Sequence, residues 1–130
     1  MSVFQRIVTE IHEGMPLYTP VTRAQFEILS IDRNKGMLVF HVGTKTRIKV
    51  PRACWNGIPN FLRGKDWVRI GARHDVAPSG TLEEYLDKFW SEGKTHASAA
   101  NYVASVLDYL GIVVLDRNRP SKIRLNPNQP

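Results

Sequence analysis

Four histidines (His12, His41, His74 and His96), one cysteine (Cys54) and the carboxylates between them are the residues from which this 130-residue chain could build a reactive site. The histidines are widely spaced and form no HxxxH or HxxE pair of the kind that holds a metal, and Cys54 has no ligand-type neighbour. A single cysteine also excludes an internal disulfide framework and a Cys-rich zinc site. His74 and Asp75 are adjacent, so their side chains point apart on most backbones, and the pair reads as a loop after a strand. Phosphoester cleavage needs a proton shuttle and a cationic clamp, which His41 with Lys45 or Arg47 would supply. Glu27 and Asp32 with Lys45 lack the spacing of a metal-dependent nuclease, and no Walker-type or dinucleotide-type glycine loop occurs. The expectation is therefore a protein that is not an enzyme and uses no cofactor or metal. A small nuclease or RNA-binding protein stands as a third reading. Cys54 reads as a small buried residue, and Trp55, Trp67 and Trp90 read as core.

Placement of the cations says more. The net charge is +6, but residues 33–73 hold ten basic residues against Asp66 alone, and residues 117–130 hold four with no acid. Between these blocks, residues 74–116 carry seven acids against Lys88 and Lys94. Two basic blocks around an acidic one describe a polarised surface suited to an anionic partner. Lys45, Arg47 and Lys49 fall on one face of a strand because side chains alternate across it. That stripe, with Arg52 and Arg63, could track phosphates, or could guard an edge strand against aggregation. No stretch approaches the roughly 20 apolar residues of a membrane span. The segment Met1–Arg6 runs into charged residues without a signal-peptide core. A cytoplasmic protein with no membrane partner is expected.

The elements that would position these residues follow from periodicity. Ser2 to Glu13 reads as a capped amphipathic helix with Phe4, Ile7, Val8 and Ile11 on one side. Met15 to Pro20 reads as an extended connection. Strands over 26–31, 37–42 and 45–50, with a turn at 32–36, make a three-stranded antiparallel meander. From Pro51 a helix bears Ala53, Cys54, Trp55, Ile58, Phe61 and Leu62, short or broken by Gly57 and Pro59 and stopped by Gly64. A brief strand spans 67–71. Thr81 and Glu84 form a capping box ahead of Leu82, Tyr85, Leu86, Phe89 and Trp90. After a break at 93–95, a second helix runs from about 96 to 109 with Ala99, Val103, Val106, Leu107 and Leu110 inward, closed by Gly111. Strands at 112–117 and 122–126 enclose a turn, and 127–130 is a frayed tail. Domain boundaries are placed at 1–50 and 51–126.

Over residues 51–126 this order resembles the winged helix-turn-helix superfamily. The segment Val103-Ala-Ser-Val-Leu-Asp-Tyr-Leu-Gly-Ile-Val113 carries the likeness, being similar to that family's second helix ending in Leu-x-x-Leu-Gly-Ile/Leu-Val before a basic hairpin. With the N-terminal helix and meander read from periodicity, the resemblance gives the expected fold class: α+β, an N-terminal helix plus small antiparallel β-meander, followed by a winged helix-turn-helix domain. It implies double-stranded DNA as partner and a transcription regulator as setting. The start of the second helix would enter the major groove with Lys94, Thr95, His96, Ser98, Asn101, Tyr102 and Ser105. The wing would bring Arg117, Asn118, Arg119, Lys122 and Arg124 to the backbone or minor groove, beside the Lys45, Arg47 and Lys49 strand. From Thr95 to Gly111 the reading helix holds no Arg or Lys, which leaves phosphate contact to Lys94 and the wing. The alternative is a protein-interaction or structural winged-helix module, a homodimer or part of a larger assembly, packing through the small-residue face of Ala97, Ala100 and Ala104.

Overall fold

The structure, a computed structural model, describes residues 2–42, 46–71, 80–89, 97–118 and 120–127. Helix α1 (Val3–Glu10) starts on a reciprocal cap: Ser2 Oγ accepts from the Gln5 N–H at 3.1 Å while Gln5 Oε1 accepts from the Ser2 N–H at 3.0 Å. Its apolar face buries Val3, Phe4 and Ile7. Gly14, at φ +85°, then turns the chain so that its N–H donates to the Ile28 carbonyl.

Strands β1 (Pro16–Tyr18), β2 (Gln25–Asp32), β3 (Met37–Val42) and β4 (Thr46–Pro51) form an antiparallel sheet in the order β1-β2-β3-β4. The expected three-stranded meander therefore has four strands. The segment with two prolines is short, but Pro16 opens an edge strand, where a missing N–H costs no ladder bond, and Leu17 pairs with Phe26. One face carries Leu17, Phe26, Ile28, Leu38, Phe40, Ile48 and Val50 into the core. Simple alternation along β2 would send Ser30 inward next. A bulge at Leu29 shifts the register from Ile28↔Phe40 to Ser30↔Val39, so Ser30 turns out and Ile31 joins Leu38 on the core side.

Helix α2 (Arg52–Leu62) runs without a break through Gly57 and Pro59, contrary to the sequence expectation. An internal proline costs about 3 kcal/mol, while complete burial of Trp55, Ile58 and Leu62 contributes roughly 1.5–3 kcal/mol per side chain. Packing wins. Strand β5 (Val68–Arg69), helices α3 (Leu82–Asp87) and α4 (Ala97–Tyr109), and strands β6 (Val113–Asp116) and β7 (Lys122–Leu125) complete the chain. The last strands form a second antiparallel sheet in the order β5-β7-β6. At the start of α3, Thr81 Oγ1 accepts from the Glu84 N–H as expected, but Glu84 Oε1 accepts from the N–H of Gly80.

One hydrophobic cluster runs through both halves of the chain. Phe40 of β3 meets Phe26 and the α2 residue Trp55 edge to face, and Tyr102 of α4 packs against both Phe26 and Phe40. The segments 1–50 and 51–126 thus share a core.

Candidate nucleic-acid interface

Helix α4 is the element on which base reading would depend. The expected inward residues Ala99, Val103, Val106, Leu107 and Leu110 are all buried. So are Ala100, Tyr102, Ala104 and Ser105, which makes the helix buried nearly all round. Tyr102 is 8% exposed, with its ring centroid 4.7 Å from that of Phe26. The Ser105 hydroxyl lies 2.7 Å from the Tyr18 carbonyl and 3.0 Å from that of Asn101, and donates to them. Both residues were expected to face a groove. They face the first sheet, which covers that side of the helix. Ala100 and Ala104 likewise pack inside the chain, so they offer no surface to a partner. Asn101 and Asp108 are half-buried and Tyr109 is exposed. Ser98 falls in the first turn of α4, while Lys94, Thr95 and His96, with His74, Asp75 and Trp90, lie outside the described residues.

The β6–β7 hairpin has one face in the core, with Val113, Leu115, Ile123 and Leu125 aligned beside Val68 of β5. Its cations divide into two groups. Arg117 Nε donates to the Pro20 carbonyl at 3.1 Å and its Nη2 lies 3.8 Å from Asp108. Arg124 pairs with Asp66 at 3.2 Å and stacks over Trp67, 4.8 Å from the ring centroid. These two arginines tie the hairpin to the β1–β2 loop and to the approach of β5. Asn118 gives its N–H to Asp116 Oδ1 and closes the turn. Arg119 lies outside the described residues.

Lys122 has a different setting. On β7 it sits directly opposite Arg69 of β5 on one side and Asp116 of β6 on the other. Arg69 and Lys122 repel across their strands, a repulsion that Asp116 on the far side of Lys122 offsets in part and a bound anion would relieve further. Arg69 is exposed, as is Trp67 at 39%, although that tryptophan was expected in the core. Burial of Val68 and Ile70 puts Trp67 and Arg69 on the other face by alternation, so the sequence held the signal for both.

On the first sheet the stripe appears as read: Arg47 and Lys49 are exposed while Ile48 and Val50 are buried. Lys45 lies outside the described residues. The register aligns Glu27, His41 and Arg47 in one row across β2, β3 and β4. No ion pair joins Glu27 to His41 among the described residues. Glu27 also opposes Arg47's charge within that row, so the stripe is less purely cationic than its strand alone.

Reactive groups elsewhere are muted. Burial pushes the Cys54 thiol up to about 12, which removes it as a nucleophile near neutral pH. Burial also raises the Tyr85 hydroxyl, whose proton is donated to the Cys54 carbonyl. Among the described residues no three of His, Cys, Asp and Glu are grouped as a metal would need, and no helix is long and apolar enough to cross a membrane. Comparisons with protein-family models, with curated proteins and with solved structures found no match.

Proposed function

We propose that this protein binds double-stranded DNA without catalysing a reaction, as a winged-helix module whose phosphate-contacting surface is the outer face of the β5-β7-β6 sheet. The observation that carries this reading is the directly opposed pair of Arg69 and Lys122 on that face. Support comes from the order α2, β5, α3, α4, β6, β7, which is the element order on which the resemblance rests. Because Tyr102 and Ser105 are inside, contact is mainly with the backbone and tolerant of sequence. A regulatory role in transcription then depends on residues at the start of α4.

Salt titration of duplex binding tests the reading. Affinity falls by about 0.9 log units per log of salt for each phosphate neutralised, and Arg69→Ala and Lys122→Ala each reduce that slope by about one contact. Salt-independent binding, or an unchanged slope in both variants, refutes it.

A second reading, a protein-interaction module, is favoured by Tyr18 and Tyr109, exposed by 44% and 49%. Tyr109 lies one helical turn beyond Ser105, which bonds the Tyr18 carbonyl, and Arg23 stacks over the Tyr18 ring at 5.5 Å. Tyrosine and arginine are enriched at the centres of protein interfaces. Size-exclusion chromatography with light scattering, with and without DNA, separates the two readings: a DNA-binding monomer leaves only the first.

A further inference from the structure

Between α1, the β2–β3 turn and the start of α2 lies an open groove of about 800 Å³ lined by Ser2, Phe4, Gln5, Val8, Thr9, Arg33 and Arg52. Its volume falls in the range of roughly 300–1,000 Å³ typical of small-molecule sites. The walls are joined, since the Phe4 N–H donates to Asn56 Oδ1 at 2.9 Å and so fixes α1 against α2. Arg52 is held in place from three sides. Its backbone N–H donates to the Gly36 carbonyl at 2.7 Å, its Nη2 donates to the Arg33 carbonyl at 2.9 Å, and its guanidinium lies 5.4 Å from the centre of the Phe4 ring. Gly36, at φ +66°, passes so close that a Cβ there would come within 2.9 Å of Arg52 atoms.

The chemistry of the lining is one-sided. No carboxylate lines the groove, and neither Arg33 nor Arg52 forms an ion pair among the described residues. Asp32, next to Arg33, turns its Oδ1 to the N–H groups of Asn34 and Lys35. Gln5 Oε1 is used by the Ser2 N–H, and the Thr9 hydroxyl donates to the Gln5 carbonyl. The side-chain groups left over are chiefly donors: two guanidinium groups and the Gln5 amide. Phosphate oxygens only accept, and guanidinium forks match them in geometry.

We infer that this groove binds a phosphorylated small molecule of nucleotide size, its phosphates held by Arg33 and Arg52 and its organic part lying along Val8. The site is separate from the β5-β7-β6 face and does not depend on the DNA reading. Isothermal titration of the full chain with ADP, inorganic pyrophosphate and adenosine tests it. ADP and pyrophosphate bind and adenosine does not. Arg33→Ala weakens ADP by about tenfold and Arg33→Glu abolishes binding, both with unchanged melting temperature, because the Arg33 side chain bonds to no other element among the described residues. Duplex DNA affinity stays the same in both variants, while Lys122→Ala leaves ADP binding intact. Equal binding of adenosine and ADP, ADP affinity indifferent to Arg33→Glu, or no binding of ADP at millimolar concentration overturns the inference. A parallel loss of ADP and duplex binding in Arg33→Glu overturns it too, since the groove would then be part of a nucleic-acid track.

Discussion

Tyr85 shows how one side chain sets the identity of another far away in sequence. Its hydroxyl donates to the Cys54 carbonyl at 2.8 Å and occupies the space where any side chain at position 57 would begin. Gly57 reads in the sequence as a helix breaker; in the fold it is a gap made for Tyr85. Gly57→Ala is expected to destabilise the protein by about 1–3 kcal/mol, because overpacking displaces the tyrosine. Tyr85→Phe should cost about 1 kcal/mol through the lost hydrogen bond. The double variant should cost clearly less than the sum, since removing the hydroxyl relieves the clash; urea unfolding of all four proteins measures the coupling. Glu83 offers a second test. It is buried, its Oε1 has no hydrogen-bond partner among the described residues, and burial, then the neighbouring Asp87, raises its carboxyl above the ordinary value of 4.5. The folded state therefore keeps the proton to higher pH than the unfolded chain. Stability from this group is intact below the unfolded value and falls as pH rises, until Glu83 ionises in the fold as well. Glu83→Gln should flatten that falling limb in unfolding curves taken at stepped pH.

At the scale of elements, α4 and the hairpin carry the contrast between sequence and structure. Periodicity within the helix identifies Ala99, Val103, Val106, Leu107 and Leu110 as one buried face. A second buried face, with Tyr102 and Ser105, exists because β1 and β2 lie against it, and no local pattern encodes that. Ala104, fully buried, has no room to grow: Ala104→Leu should cost about 1–3 kcal/mol in thermal or urea unfolding. The hairpin cations separate by the same logic. Arg117→Ala and Arg124→Ala should each lower stability by about 1 kcal/mol, because Arg117 loses its bond to the Pro20 carbonyl and Arg124 its contacts with Asp66 and Trp67. Arg69→Ala should leave stability unchanged or slightly higher, since it removes the charge opposed to Lys122, whereas Lys122→Ala, which also takes away the cross-strand neighbour of Asp116, should change stability little in either direction. If all four behave alike in calorimetry, this division of roles is wrong.

For the whole molecule, the decisive feature is the shared core. Phe26 and Phe40 from the first sheet interlock with Trp55 and Tyr102 from the later helices, all four buried. A single calorimetric transition is expected for the full chain. Residues 51–126 expressed alone should show no cooperative melting, because Trp55, Tyr102 and Ser105 would lose the surfaces that cover them. Two independent transitions, or a fragment that melts cooperatively, would contradict this. If the protein binds DNA as proposed, the same packing would limit contact to the outer faces of the two sheets and the start of α4, in place of the whole helix.

What the residues determine on their own is local. The Ser2 cap, the Asp32–Gly36 turn, the alternation in β4 and the main buried face of α4 depend on neighbours within a few positions, and each is legible without the fold. The pairing of β1, the bulge at Leu29, the unbroken α2 and the second buried face of α4 depend on residues tens of positions away. Those are contests between local preference and long-range burial, and only the assembled core holds both sides. The same holds for the cations: sequence places the basic blocks, while tertiary contacts decide that Arg117 and Arg124 brace the fold and leave Arg33, Arg52, Arg69 and Lys122 facing outward.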